Sequence, residues 1–383
     1  MSSPHVRLVT TTLDEAKSLP ALAEGCHEMG VDDFVILDEE RSSDGTEETA
    51  YREFAKWGIP GVVLKGNFDG LSAKRNYLMG LPEVREGCDE RAAKGQLTYW
   101  FIPQSDEPPK GTLDKDSLTA PVYMLTVCDG EAGENFIPME WEMPALIRSD
   151  VPYHWEGLVH ELLMFDEPVI AHRLVSPIMR RYGSLASTEQ REAQARTLEE
   201  ELAKEDAPRT AFYLAQTYQC LGRDDDAIAM YLHRATLFGG YDQEQYVAMY
   251  RVGNLYEANN PIKAARAYMD AWSLRPNRKE PLFHLAHIFN VMGNHEAALM
   301  FANQALAMND TSDTMFVERW IERWGIELQW SVAAWWCRIP ECYEVWDRLL
   351  ARDDIPQTHR DVIIANKAQP PRPPEDPQPE VSA

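Results

Sequence analysis

The residues best suited to chemistry are acids that follow apolar, strand-like runs. Val35-Ile36-Leu37-Asp38 leads into Glu39-Glu40-Arg41-Ser42-Ser43-Asp44-Gly45-Thr46, and Thr98-Tyr99-Trp100-Phe101-Ile102-Pro103 leads into Gln104-Ser105-Asp106-Glu107. Open α/β sheets bind their ligands at the carboxyl ends of strands, which is where this spacing puts the carboxylates. Between the two runs lies Ser72-Ala73-Lys74-Arg75-Asn76, a basic element with small neighbours that can approach a diphosphate. Arg75 would then meet phosphate charge through its guanidinium, while Asn76 packs the turn. Asp44 before Gly45-Thr46 suits either ligand contact or an Asx turn at a helix start.

The elements that position these residues alternate over 5–175. Val6 to Thr10, Phe34 to Leu37, Gly61 to Leu64 and Tyr99 to Ile102 read as strands. Leu13 to Met29, Glu47 to Trp57 and a segment starting at Ser72 read as helices. Strand and helix in alternation predict a parallel, doubly wound sheet. Val122 to Val127 and Ala145 to Ile147 read as later strands, and Gly80 to Gln96 has no clear pattern.

After Pro177 helical periodicity takes over. Leu214-Ala215, Tyr218, Ala227 and Tyr231 fit one tetratricopeptide copy, Ala264, Tyr268, Ala271 and Pro276 half of another, and Leu285-Ala286, Phe289, Ala298, Ala302 and Ala305 a third. Ala227, Ala264 and Ala298 are spaced 37 and 34 residues apart, close to that repeat's period. The small residues let paired helices approach, and the aromatic stripe is expected to be core. A Trp-rich helical cap is expected over Asp313 to Leu350, and a disordered Pro-rich tail at the end of the chain. The reading gives a domain over 1–175, helical repeats and cap over 176–365, and a tail over 366–383.

Composition narrows the function classes. A net charge of −25 over 383 residues repels phosphate backbones and disfavours a nucleic-acid partner. No apolar run is long enough to span a membrane, and Met1 to Thr12 lacks a secretory core, so a cytoplasmic protein is expected. The six scattered cysteines show no metal-ligand spacing and read as mostly buried free thiols, with Cys337 and Cys342 unbridged.

The ordered set of strand and acid, Asp-Gly-Thr turn, Ala-Lys-Arg-Asn segment and acidic strand end resembles the family 2 glycosyltransferases. The resemblance extends to Trp155-Glu156-Gly157-Leu158-Val159-His160-Glu161, to Phe212 through Tyr218, to Gly239-Gly240 before Glu244, and to Arg275 through Leu282. Those segments match members that carry helical repeats after the catalytic domain. The resemblance implies an α/β nucleotide-sugar domain of the glycosyltransferase A type, Rossmann-like, followed by an all-α tetratricopeptide-like domain. It implies transfer, with inversion, of a sugar from a UDP-sugar to a hydroxyl or thiol. The acceptor would be a peptide, protein or glycan presented by the repeats.

Residue by residue, the family pattern assigns donor binding to Thr11, Glu15, Arg75, Gln104 and Asp106, with Asp44 as a further contact. A uracil-like base would be held by Asp38 or by Glu39: the spacing to Asp44 favours Glu39, the strand register Asp38. Asp106 is the expected metal anchor, His160 a second ligand to Mn²⁺ or Mg²⁺, and Glu161 the general base. Gln104 departs from the family by replacing the first acid of the metal motif, which weakens metal dependence. Asp106 is also counted among the catalytic residues.

Two alternatives stay open. One is a non-catalytic repeat scaffold with a degenerate transferase domain. The other is sugar transfer to hydroxymethylated bases in DNA, for which Arg173, Arg180 and Arg181 offer a basic patch. His284 and His287 stand three residues apart on a repeat helix, and packing explains them without a metal or a carboxylate partner.

Overall fold

The computed structural model describes residues 2–68, 70–129, 139–157, 159–181 and 187–370. The chain divides into two compact units, Met1–Glu131 with Glu140–Ala186, and Ser187–Ala383 with Ala132–Met139.

The first unit is built on a nine-stranded mixed sheet. Its first half follows the alternation in the sequence: β1 (His5–Thr12), α1 (Leu19–Met29), β2 (Asp33–Glu39), α2 (Thr46–Lys56), β3 (Gly61–Gly66) and α3 (Leu71–Gly80). Two short helices, α4 (Pro82–Arg85) and α5 (Cys88–Ala93), fill the unpatterned stretch before β4 (Thr98–Phe101). The strands β3, β2, β1 and β4 are neighbours in that order, and all of them are parallel. Both faces of these strands are covered, so the sequence runs apolar instead of alternating. Val6, Leu8, Phe34 and Ile36 pack with Leu19, Leu22 and Phe54 from α1 and α2. Val9, Val35, Leu37 and Trp100 pack on the other face with Leu78, Val84 and Trp155.

Beyond β4 the parallel expectation fails. The chain adds β5 (Pro109–Lys110), β6 (Val122–Asp129), β7 (Met139–Arg148), β8 (Tyr153–Glu156), β9 (Leu162–Phe165), β10 (Ala171–Arg173) and β11 (Ile178–Arg181). Strand β7 lies antiparallel to β4, and β5 antiparallel to β11, while β10 and β11 run parallel to β6. Among the described residues from β5 to β11 there is no α-helix, so antiparallel pairing joins the parallel kind here. Strands β8 and β9 form a separate antiparallel ribbon. Strand β11 lies beyond residue 175 yet is hydrogen-bonded in the main sheet.

Helix α1 begins at Leu19, not at Leu13. Pro20 lies in its first turn, the one place where a missing N–H costs no helical bond, and Asp14 upstream is left-handed (φ 54°). Residues 13–18 are therefore a loop at the carboxyl end of β1.

One buried arginine ties this unit together. Arg7, 5% exposed, donates from Nε to Asp33 Oδ1 (2.7 Å) and from its terminal nitrogen to Asp33 Oδ2 (2.6 Å). It also caps the carbonyls of Glu83, Val84 and Glu86. Burial raises the Asp33 carboxyl, but Arg7 and His5 outweigh it and hold the group at about 2.

The second unit is helical throughout its described residues from 187 on, apart from loops. After α6 (Thr188–Lys204) come three antiparallel pairs: α7 (Pro208–Cys220) with α8 (Asp224–Thr236), α9 (Asp242–Glu257) with α10 (Pro261–Leu274), and α11 (Glu280–Val291) with α12 (His295–Leu306). The aligned Ala227, Ala264 and Ala298 are fully buried, as are Tyr231, Tyr246 and Tyr268. Gly253 lets α9 and α10 close up, since a Cβ there would meet the Tyr268 ring at 2.4 Å. The turns between pairs are fixed by buried ion pairs, Arg234 with Glu244 (3.1 Å) and Arg278 with Glu280 (2.6 Å). Those arginines also cap carbonyls: Leu237, Gly239 and Tyr241 for the first, Met315 and Phe316 for the second. That use explains the Gly239-Gly240 and Arg275 to Leu282 segments.

A helical cap follows in α13 (Ile326–Trp336), α14 (Cys342–Leu350) and α15 (Gln357–Lys367), with Trp324 and Trp346 buried. The tail expected from 366 still belongs to α15 at 366–367, and residues 371–383 lie outside the described residues. His284 is packed as expected, but it does have a carboxylate partner: Nδ1 lies 2.7 Å from Glu257. All six cysteines are free; only Cys26 and Cys342 are buried, fewer than the sequence suggested.

Arg7→Ala leaves Asp33 with His5 as its remaining close cationic partner and uncaps three carbonyls. We expect urea denaturation to show the first unit destabilised by about 3–5 kcal/mol, whereas a loss under about 1 kcal/mol would contradict this role.

Candidate functional site

From β1 the chain moves to β2 and β3, then returns past β1 to place β4 on its other side. The connections leaving β1 and β4 therefore diverge, and a crevice opens at the carboxyl ends of these two strands. It is lined by Thr10 and Thr11 of β1, Ile102 and Pro103 after β4, Arg75 of α3 and Trp155 of β8. Thr10 donates to the Pro103 carbonyl (2.8 Å) and fixes the two strand ends against each other.

Arg75 is the cation of this crevice. Its guanidinium lies over the Trp155 ring, 4.3 Å from the centroid, and a terminal nitrogen is 3.0 Å from Glu161 Oε1. Both side chains of the ion pair are only 9% exposed, and Arg75 Nε is buried without a hydrogen-bond partner. Helix α3 and the ribbon are locked together nearby. Asn76 donates to the Trp155 carbonyl (2.8 Å) and accepts from its N–H (2.7 Å), so it clamps β8 instead of packing a turn.

Carboxylates gather beside this cation. Burial lifts the Glu107 carboxyl to about 7, with Asp106 adding to the rise and Arg181 and Arg75 opposing it. Burial also raises Asp106, against Arg181, and raises Glu15, where Ser18 opposes and Asp106 adds. Arg181 Nε stands 3.9 Å from Asp106, an ion-pair distance and not a hydrogen bond. Arg180 Nε and Arg181 Nε are both buried without a hydrogen-bond partner. The structure thus groups Thr11 with Arg75 and Glu161, and Glu15 with Asp106. Glu107 and Arg181 belong to the same charged group, and the sequence reading did not assign them to it.

Several expectations need correction. Asp38 is fully buried and spent on structure: it accepts from Thr12 Oγ1 (2.8 Å) and from Lys65 Nζ (2.7 Å). Glu39 is held by Lys74 (3.2 Å) and Arg41 (2.5 Å). Neither lines the crevice, so neither is placed to accept from a base there. Asp44 is exposed and ties loops together, accepting from the Ala16 N–H (2.9 Å) and from Thr46 Oγ1. Gln104 donates its N–H to Glu107 Oε2 (3.3 Å).

His160 and Glu161 belong to the turn between β8 and β9, where His160 is exposed with φ 54°. Glu161, expected as the general base, is held in the ion pair with Arg75. Among the described residues no group of three or more His, Cys, Asp or Glu side chains is placed to hold a metal ion. Asp106 and His160, expected to bind Mn²⁺ or Mg²⁺, belong to no such group, and the residues present do not fit that cation. The basic patch is not free either: Arg173 pairs with Glu142 (2.5 Å) and Arg181 faces Asp106.

No family model and no curated protein matches the chain. Solved structures similar to it include MamA, 16% identical over 48% of this chain and 90% of its own, with a TM-score of 0.34. YrrB, described as a tetratricopeptide protein with an unusual peptide-binding site, is 14% identical over 48% of this chain and 86% of its own, at 0.36. TTC0263, a thermophilic tetratricopeptide protein of Thermus thermophilus, is 17% identical over 47% and 90%, at 0.27. Among the described residues no helix is long and apolar enough to cross a membrane.

Glu107 titrates at about 7 in the fold against an ordinary 4.5, so the folded state keeps a proton that the unfolded chain releases in between. Stability should therefore fall as pH rises through that window. Relative to Glu107→Gln, which cannot ionise, the wild-type protein should lose about 2–3 kcal/mol between pH 5 and 8 by urea denaturation. Parallel pH dependence of the two proteins would contradict the assignment.

Proposed function

We propose that the first unit is a glycosyltransferase domain of the A type that binds a nucleoside diphosphate sugar, UDP-linked in our reading, at the β1–β4 crevice. The observation that carries this reading is Arg75: nine-tenths buried, with an unpartnered Nε, at the switch point where α/β sheets take phosphate-bearing ligands. Trp155 beneath the guanidinium fixes its plane and leaves its edge for an anion.

In the transfer step an acceptor hydroxyl or thiol attacks the anomeric carbon and gives its proton to Asp106. The bond from that carbon to the diphosphate breaks, and the electron pair leaves with the phosphate. A single displacement of this kind inverts the anomeric centre. Asp106 suits proton acceptance because burial raises its carboxyl while the side chain stays partly exposed. The acceptor class is a peptide, protein or glycan engaged by the helical repeats, whose stacked pairs suit extended partners.

A second reading, a repeat scaffold whose sheet unit no longer catalyses, is favoured by one observation. Asp38, Glu39 and Glu161 are all closed in ion pairs.

Calorimetry with UDP and with uridine separates the two readings. Arg75→Ala should weaken UDP by about 1.5–3 kcal/mol and leave uridine nearly unchanged, because uridine has no phosphate to grip. UDP that binds neither protein, with Mg²⁺ present, would contradict the transferase reading and favour the scaffold.

A further inference from the structure

We propose that arginines, Arg75 and Arg181, neutralise the diphosphate in this crevice, that no divalent cation is needed, and that Glu161 competes with the ligand for Arg75. This rests on the transferase reading above and specifies how its donor is held.

A divalent cation needs several hard oxygen ligands at one point. Gln104 stands where an acid would add one, and an amide contributes no charge. Asp106 faces Arg181, and Glu107 is only 1% exposed. Both carboxylates feel Arg75 as well as Arg181, so a cation placed among them would be repelled by two guanidinium groups. The described residues assemble no ligand set of three.

The positive charge a cation would supply is already present. Arg181 ends β11 in register with Asp129 at the end of β6, on the same carboxylate group that Arg75 reaches from α3. Both arginines hold a buried Nε with no hydrogen-bond partner, a donor that costs free energy until an acceptor arrives. Phosphate oxygens match the planar fork of a guanidinium in two parallel bonds.

Glu161 is the stand-in for that anion. It occupies one terminal nitrogen of Arg75 at 3.0 Å, and it is carried on the turn between β8 and β9 next to the left-handed His160. A phosphate that takes the whole edge of Arg75 has to displace this carboxylate. Removing Glu161 then removes a competitor instead of a catalytic base or a metal neighbour.

The test is calorimetry of UDP with the full chain, in chelator, in Mg²⁺ and in Mn²⁺. Affinity should agree within about twofold across the three, and Arg75→Ala and Arg181→Ala should each weaken it by about tenfold or more. Arg75→Lys keeps the charge without the fork and should fall between wild type and Arg75→Ala, which guards against a misfolded alanine variant. Glu161→Ala should tighten UDP by about threefold or more. Binding that rises about tenfold with either cation, or that weakens in Glu161→Ala, would overturn the proposal while leaving the transferase reading in place. Unchanged affinity in Arg181→Ala would overturn it as well. No UDP binding under any condition would remove the transferase reading and this inference with it.

Discussion

Strand β1 lies between two parallel partners that the chain reaches in opposite directions, and the first unit depends on that pairing. Thr12 is in register with Asp38 on one side, and Leu8 with Phe101 on the other. Parallel strands cannot be joined by a tight turn, so each carboxyl end must release its chain into a crossover. From β1 the chain goes on to β2 on one side, and from β4 it goes on to strands on the other side, so the crevice between them follows from connectivity. Thr10 and Thr11 near the end of β1 and Pro103 just after β4 line it because they stand where the two chains part.

Charge then fills the space that connectivity creates, and it divides into two kinds. Asp33, Asp38, Glu39 and Glu161 have close cationic partners, and for the first three the partner supports local structure: Arg7, Lys65 and Lys74. Glu15, Asp106 and Glu107 are pushed upward by burial, with opposing charge too distant or too shared to compensate. Carboxyls held away from their ordinary range in a cleft are what proton transfer needs, whereas tightly paired ones are what folding needs. In the repeat unit the same chemistry serves packing: Arg234–Glu244 and Arg278–Glu280 are buried pairs whose arginines also cap loop carbonyls.

Legibility in the sequence followed the length and regularity of each pattern. The first parallel strands and most of the helix pairs were readable, two pairs in full and the second helix of the middle one, because both rest on periodic apolar residues whose burial is local to each element. Ala227, Ala264 and Ala298 needed only their spacing to be placed in helix contacts. In the second half of the sheet β6 and β7 were readable, but Leu162–Phe165, Ala171–Arg173 and Ile178–Arg181 were not: they are three or four residues long, too short to show a period. Arg181 stayed outside the expected site for that reason, although it faces Asp106. Acids at strand ends were visible as acids, but their partners were not. Lys65 and Thr12, which engage Asp38, are brought to it by lateral strand pairing that the sequence does not display. The glutamate beside His160 was visible as well, and its pairing with Arg75 came only from the ribbon folding back on α3.

The central claim is that a phosphate-bearing nucleotide binds at the carboxyl ends of β1 and β4. Amide hydrogen exchange on the full chain, with and without saturating UDP, tests it most directly. The account predicts slowed exchange at the end of β1, in the first turn of α3 and across the β8–β9 turn, with the repeat helices unchanged. Protection confined to the repeat helices, or no change in those three segments at saturation, would contradict it.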